Sequence, residues 1–178
     1  VAKLGFTCSC CGERHDDLPL AFGAPAPAYW MPEHAEDPRS SLDSDLCVIE
    51  CEHFFVRATI EIPIRDSAEV FSWGVWVSQS QESFERVVSR WESEGREHDE
   101  STFGWLSSVL PMYPETIGLA TRLHQRPVGE RPVVQLEPTD HPLAVEQREG
   151  ITRDRVVELV ELLLHPAGSA APDGTAGS

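Results

Sequence analysis

Residues 56–64 read Val-Arg-Ala-Thr-Ile-Glu-Ile-Pro-Ile, so that Val56, Ala58, Ile60, Ile62 and Ile64 alternate without a break with Arg57, Thr59, Glu61 and Pro63. Successive side chains of an extended chain point to opposite faces, and a period of two therefore commits the segment to a strand with one buried face. Such a strand cannot cover its apolar face alone. The sequence offers partners: residues 46–49 are expected to pair with it as a hairpin turning over residues 50–53. Residues 71–77 give a further strand with Phe71, Trp73, Val75 and Val77 on one face and Trp76 on the other. Residues 132–136 read as another strand, and residues 117–123 as one more. Pro63, which cannot donate to a ladder, marks a strand end or an edge.

Helical periodicity is sparser. Ser78 or Ser80 can cap a helix whose apolar residues Phe84, Val87, Val88 and Trp91 fall at i, i+3, i+4 and i+7, with Gly95 ending it. Pro142 suits the first turn of a short helix reaching Glu149, with Asp140 as its cap. A last helix starts from Thr152 and carries Val156, Val157, Val160, Leu163 and Leu164 up to His165 and Pro166. Residues 18–38 are rich in proline and alanine and read as an irregular loop held to the core by Phe22, Tyr29 and Trp30. The fold class expected is α+β: a mainly antiparallel sheet of about five strands with two or three helices and an N-terminal zinc-knuckle-like hairpin. Residues 1–165 are expected to form a single domain, and residues 166–178, small and polar, a disordered tail.

Charge narrows the function classes. A formal net charge of −16 repels phosphate backbones and anionic lipid and favours cationic partners, so neither nucleic acid nor membrane is an expected partner. No stretch approaches the roughly 18 uninterrupted apolar residues of a membrane helix, and the first residues lack the basic-then-apolar layout of a signal peptide. The expected compartment is the cytoplasm.

Five cysteines are an odd number, and Cys8, Cys10 and Cys11 are too crowded to form a disulfide framework. Cys8-x-x-Cys11 followed at once by Gly12 is the pattern of a metal knuckle, whose tight turn needs a glycine. Tetrahedral zinc takes its ligands as two local pairs, and Cys47-x-x-x-Cys51 supplies a second pair, both on one side of the expected hairpin. The expected cofactor is a structural zinc held by Cys8, Cys11, Cys47 and Cys51, with His15 as the alternative fourth ligand and Cys10 as a bystander. A thioredoxin-like redox reading needs the motif to open a helix, and no helical pattern follows it.

A second polar concentration lies between Gly129 and Gly150, where Arg131, Asp140 and His141 surround a strand-to-helix junction. With Arg57 from the polar face of its strand, Arg131 and His141 are candidate ligand-binding residues for a small anionic substrate. The sequence has no phosphate-binding glycine loop, no Gly-x-Ser-x-Gly elbow and no His-Glu-x-x-His helix.

Taken in order, Cys8-x-x-Cys11-Gly12-x-x-His15, Leu18-Pro19, Asp45-x-Cys47, Phe55-x-Arg57, Trp73-Gly74-x-Trp76, Tyr113-Pro114, Arg131-Pro132 and His141-Pro142-Leu143-Ala144 resemble the bacterial family catalogued as domain of unknown function 2199. The resemblance extends over about residues 6–165. It implies Cys8, Cys11, His15 and Cys47 as pattern positions, does not call for Cys51, and brings no reaction with it. The residues and the charge together lead to the expectation of a zinc-stabilised cytosolic binding or accessory protein that engages a basic protein partner. The alternative is a small-molecule enzyme built around His141, Arg57 and Arg131.

Overall fold

The computed structural model of the chain describes residues 5–9 and 11–165; Cys10 and the expected tail at residues 166–178 lie outside them. The described residues fall into two compact units, one made of those up to Pro19 together with those from Thr152, the other of Leu20–Ile151. In chain order the strands β1 (Phe6–Thr7) and β2 (Arg14–His15) belong to the first unit. The second holds β3 (Ala21–Gly23), β4 (Ser41–Leu42), β5 (Leu46–Ile49), β6 (His53–Pro63), β7 (Val70–Gln79), helix α1 (Gln81–Ser89), β8 (Thr102–Leu106), β9 (Ala120–His124), β10 (Val133–Leu136) and helix α2 (Pro142–Glu149). Helix α3 (Arg153–Leu164) returns to the first.

The larger unit is built on β6, as its alternation demands. Val56, Ala58, Ile60 and Ile62 face Val77, Val75, Trp73 and Phe71 across the β6–β7 ladder, and all eight are buried. Each large apolar side chain removed from water in this way contributes about 1.5–3 kcal/mol. The sheet is not an open antiparallel one. From β6 to β10 the strands follow one another antiparallel, and β10 then pairs back onto β6 in parallel at Val133 and Thr59, closing a five-stranded barrel. The parallel seam is a matter of parity: four antiparallel steps leave the fifth strand running the same way as the first. Leu106, Leu123, Val134 and Leu136 complete the barrel interior. Strands β3 and β4, with β5, extend the sheet to eight strands, and β3 pairs with β7 in parallel.

A second core lies outside the barrel wall. Trp76, on the opposite face of β7 from Trp73, is fully buried among Cys47, Ile49 and Phe55, with Ala24, Trp30 and Leu42 packed against them. Its indole donates to the Ala24 carbonyl at 3.2 Å. The β4–β5 pair and the proline-rich segment thus form a flap over the outer face of β6 and β7, and both faces of β7 are covered.

Local signals locate the helices, with two adjustments. Ser80 caps α1 by accepting from the Ser83 amide at 3.2 Å, but the helix stops at Arg90, and Trp91 lies beyond it with the Arg96 guanidinium 5.0 Å from its ring. Helix α2 is capped by His141 rather than Asp140: its Nδ1 accepts from the Leu143 amide at 3.2 Å. Pro142 at the first helical position fixes where the helix begins, so the capping position falls on the residue just before it. In α3, capped by Thr152, the buried residues are Val156, Leu159 and Val160.

Candidate metal centre

The smaller unit holds a compact group of metal-ligating side chains. Strands β1 and β2 pair antiparallel, Phe6 opposite His15 and Thr7 opposite Arg14. The chain between them closes in a tight turn, with the Cys8 amide donating to the Glu13 carbonyl and the Gly12 amide to the Cys8 carbonyl, each at 2.9 Å. Gly12 sits at φ +72° with open space where a Cβ would stand, so its requirement is conformational and not steric. This turn sets Cys8, buried, and Cys11, exposed, at its two ends.

His15 is oriented by Phe6, whose ring stacks on it with centroids 4.9 Å apart, and its Nε2 lies 3.8 Å from the Cys11 sulfur. The fourth member is His165, the residue that follows the last turn of α3, with its ring centroid 6.2 Å from that of His15. One ligand atom from each of Cys8, Cys11, His15 and His165 falls within 4.8 Å of all the others, and the group can hold a metal ion. The carboxylate of Glu161, one turn before His165, accepts from both the amide and the hydroxyl of Ser9, so α3 and the turn are tied beside the cluster.

The electrostatics suit a cation. At Cys11 the Glu13 amide hydrogen bond favours thiolate, yet desolvation together with the hydrogen bond and charge of Cys8 outweighs it and pushes the thiol above its ordinary value. A thiol whose proton is held more tightly by a neighbouring sulfur is relieved by a positive ion shared between the two. His165 Nε2 is shielded from solvent and lacks a hydrogen-bond partner among the described residues, a costly state for an imidazole nitrogen that a metal would relieve.

Cys47 and Cys51 sit in the larger unit and are engaged there. The Cys47 side chain is part of the apolar cluster around Trp76, where burial, with a smaller contribution from the Asp43 charge, pushes its thiol up to about 12. Cys51 is exposed at the tip of the β5–β6 hairpin, and its sulfur donates to the Arg39 carbonyl at 3.3 Å. Sequence spacing identified Cys8, Cys11 and, as an alternative, His15. It missed His165, whose signal was a histidine at the end of a helix, read there as a terminator.

Of the candidate anion-binding residues, two come together. Arg131 Nε donates to Asp45 at 2.6 Å, and Arg57 donates to the Ser44 carbonyl at 3.3 Å beside it. Burial works against the Asp45 carboxylate, but the hydrogen bonds from Arg131 and Ser44 prevail and hold it below its ordinary value. Burial, reinforced by the nearby Arg131 charge, lowers the Arg57 pKa. His141 is committed elsewhere as the cap of α2.

Fold and cluster together define a small α+β barrel protein with a Cys/His group able to take a metal. The chain belongs to the family of uncharacterized proteins conserved in bacteria named domain of unknown function 2199, whose profile matches residues 7–151. The match contains Cys8, Cys11 and His15, while His165 lies beyond it. No curated protein and no solved structure matches the chain. Among the described residues no helix is long and apolar enough to cross a membrane.

Proposed function

We propose that the chain is a zinc-clasped binding or accessory protein, in which Cys8, Cys11, His15 and His165 hold one structural zinc and the acidic surface engages a basic protein partner. The observation that carries the metal assignment is the four-ligand group itself. Two thiolates and two imidazoles are a donor set that selects zinc over the oxygen-preferring cations. The 3.8 Å between Cys11 Sγ and His15 Nε2 is within a few tenths of an ångström of the edge of about 3.5 Å set by zinc–sulfur and zinc–nitrogen bonds of about 2.3 and 2.0 Å in a tetrahedron. Four protein ligands leave no open position for a reacting water, which favours a structural over a catalytic role. Thiolate ligands also suit a reducing compartment such as the cytoplasm. The partner's sign follows from the net charge of −16.

Elemental analysis of protein purified without chelator is expected to find about one zinc per chain, and X-ray absorption two sulfurs at about 2.3 Å and two nitrogens at about 2.0 Å. A protein that carries no zinc and does not gain in Tm when zinc is added would end the metal reading. A shell of four sulfurs would restore Cys47 and Cys51 in place of the two histidines.

A further inference from the structure

A cleft of about 600 Å³ opens on the larger unit, beside the β5–β6 hairpin tip and the outer face of β8. Its lining joins aromatic surface to carboxylates. Tyr29 and Trp105 are 52% and 49% exposed, a large apolar area to leave in water, while Phe55 beneath them is buried. Glu50 and Glu52 come from the hairpin turn, and the lining contains neither arginine nor lysine. Arg39 lies 3.6 Å from Glu50 but is bound more closely to Asp37 at 3.0 Å; Glu52 has no ion pair among the described residues.

Trp105 owes its place to the alternation of β8. Thr102, Gly104 and Leu106 face the barrel interior, so Phe103 and Trp105 face outward and meet edge to face with centroids 5.0 Å apart. Trp105 also lines a second cleft of about 380 Å³ with Phe103, Ser80 and Ser83. The same strand face already holds one cation on a ring, since the Arg122 guanidinium lies 5.6 Å from the Phe103 centroid. Trp105, two residues on, has no such intramolecular cation among the described residues.

We infer that this cleft binds an arginine side chain of a basic peptide segment, with the guanidinium over Trp105 and its charge matched by Glu52 and Glu50. The inference rests on the proposed basic partner and gives that partner a docking place. Guanidinium is favoured over ammonium because it is planar, stacks on aromatic faces, sheds its hydration more readily and bridges to carboxylate oxygens. An uncharged apolar occupant would leave Glu52 facing it unpaired, and an anionic one would be repelled. The space exceeds a single side chain and accommodates flanking peptide, and the second cleft continues past Trp105 with hydroxyl groups that can take a neighbouring residue.

The test uses the full chain and an N-acetylated, C-amidated peptide of four Arg-Gly repeats, with a Glu-Gly peptide of equal length as control. Calorimetry at low salt is expected to show binding of the arginine peptide alone. Trp105→Ala should weaken it at least tenfold and Glu52→Gln several-fold with a shallower salt dependence, whereas Glu130→Gln, a carboxylate outside the cleft, should change it little. Equal losses in Glu52→Gln and Glu130→Gln, or undiminished binding by Trp105→Ala and Glu52→Gln, would overturn the cleft while leaving a basic partner in place. No binding of the arginine peptide to the wild-type chain at low salt would overturn both. Metal analysis on the same samples tests the zinc clasp separately.

Discussion

Ser9 and Glu161, 152 positions apart in the sequence, are joined by two hydrogen bonds, the Ser9 amide to one carboxylate oxygen at 2.5 Å and its hydroxyl to the other at 2.6 Å. The Ser9 hydroxyl, then its amide, and to a lesser degree the His165 charge hold the Glu161 carboxyl below its ordinary range. A carboxyl whose folded pKa is depressed contributes stability above its unfolded pKa and loses it as pH falls through the folded value. With metal removed by chelator, Glu161→Gln should therefore lower Tm at neutral pH and show a shallower decline than wild type towards pH 3. Parallel acid limbs for the two proteins would contradict this.

The ligand assignment separates the cysteines. His165→Ala and Cys11→Ser are expected to weaken zinc binding by more than about 100-fold, since loss of an outer-shell partner alone costs about 10–100-fold. Cys51→Ser should leave both metal content and first-shell distances unchanged. Competition with a zinc-binding dye gives the affinities, and retention of zinc by His165→Ala would remove it from the set.

Cys47 should behave as an apolar side chain. With its thiol pushed from an ordinary 9.0 up to about 12 by burial, it stays protonated in the native protein at neutral pH. Iodoacetamide at pH 8 should label the exposed Cys51 and spare Cys47 until denaturant is added, as read by mass spectrometry. The linkage also has a sign: a group whose folded pKa is raised stabilises fully below its unfolded pKa and loses that contribution as pH rises towards the folded one. Cys47→Ala should thus flatten the stability loss above pH 9.0.

Gly104 has the least room for a side chain of the described glycines. A Cβ there would stand 2.2 Å from the Ser78 carbonyl oxygen and 2.6 Å from Val77 Cγ1, both inside van der Waals contact. The obstacle is ladder backbone, which cannot yield without breaking pairing. Gly104→Ala should cost about 3 kcal/mol or more of stability, measured by urea denaturation. A cost below about 1 kcal/mol would mean that β8 shifts freely.

Arg96 is buried to 1% exposure with no carboxylate partner among the described residues, and it donates instead to the carbonyls of Trp91, Arg126, Pro127 and Glu130. Lysine cannot reproduce a planar fork of donors aimed at four acceptors. Arg96→Lys should destabilise by about 2 kcal/mol and Arg96→Ala by about 3–5 kcal/mol, since loss of the charge also orphans the carbonyls.

Strand β6 was legible because over residues 56–62 its buried residues, Val56, Ala58, Ile60 and Ile62, are all apolar and the intervening Arg57, Thr59 and Glu61 are polar. Strand β8 was hidden for the opposite reason. Its inward residues are Thr102, Gly104 and Leu106 and its outward ones Phe103 and Trp105, so the alternation of polarity runs against that of burial. Burial of Trp76 on the other face of β7 left no such signal, because a period of two records one covered face and is silent about a flap on the other. Barrel closure left no mark on any single strand, since it depends on which edges meet. The Cys/His cluster was half legible: Cys8, Cys11 and Gly12 are a local pattern, and His15 lies within reach of it. His165 comes from a helix 150 residues further on, a distance at which spacing carries no information.

Closure of the barrel also limits how other chains can attach. With β6 and β10 consumed in the seam, the eight-stranded sheet ends at β3 and β4, of three and two residues. Edges this short present too few unpaired amides and carbonyls to template a further strand, which protects the sheet from runaway edge-to-edge growth. Recruitment of an extended peptide by strand addition is closed off in the same way. Recognition at this sheet is then a matter of side-chain chemistry at particular residues of its outer faces and not of backbone pairing.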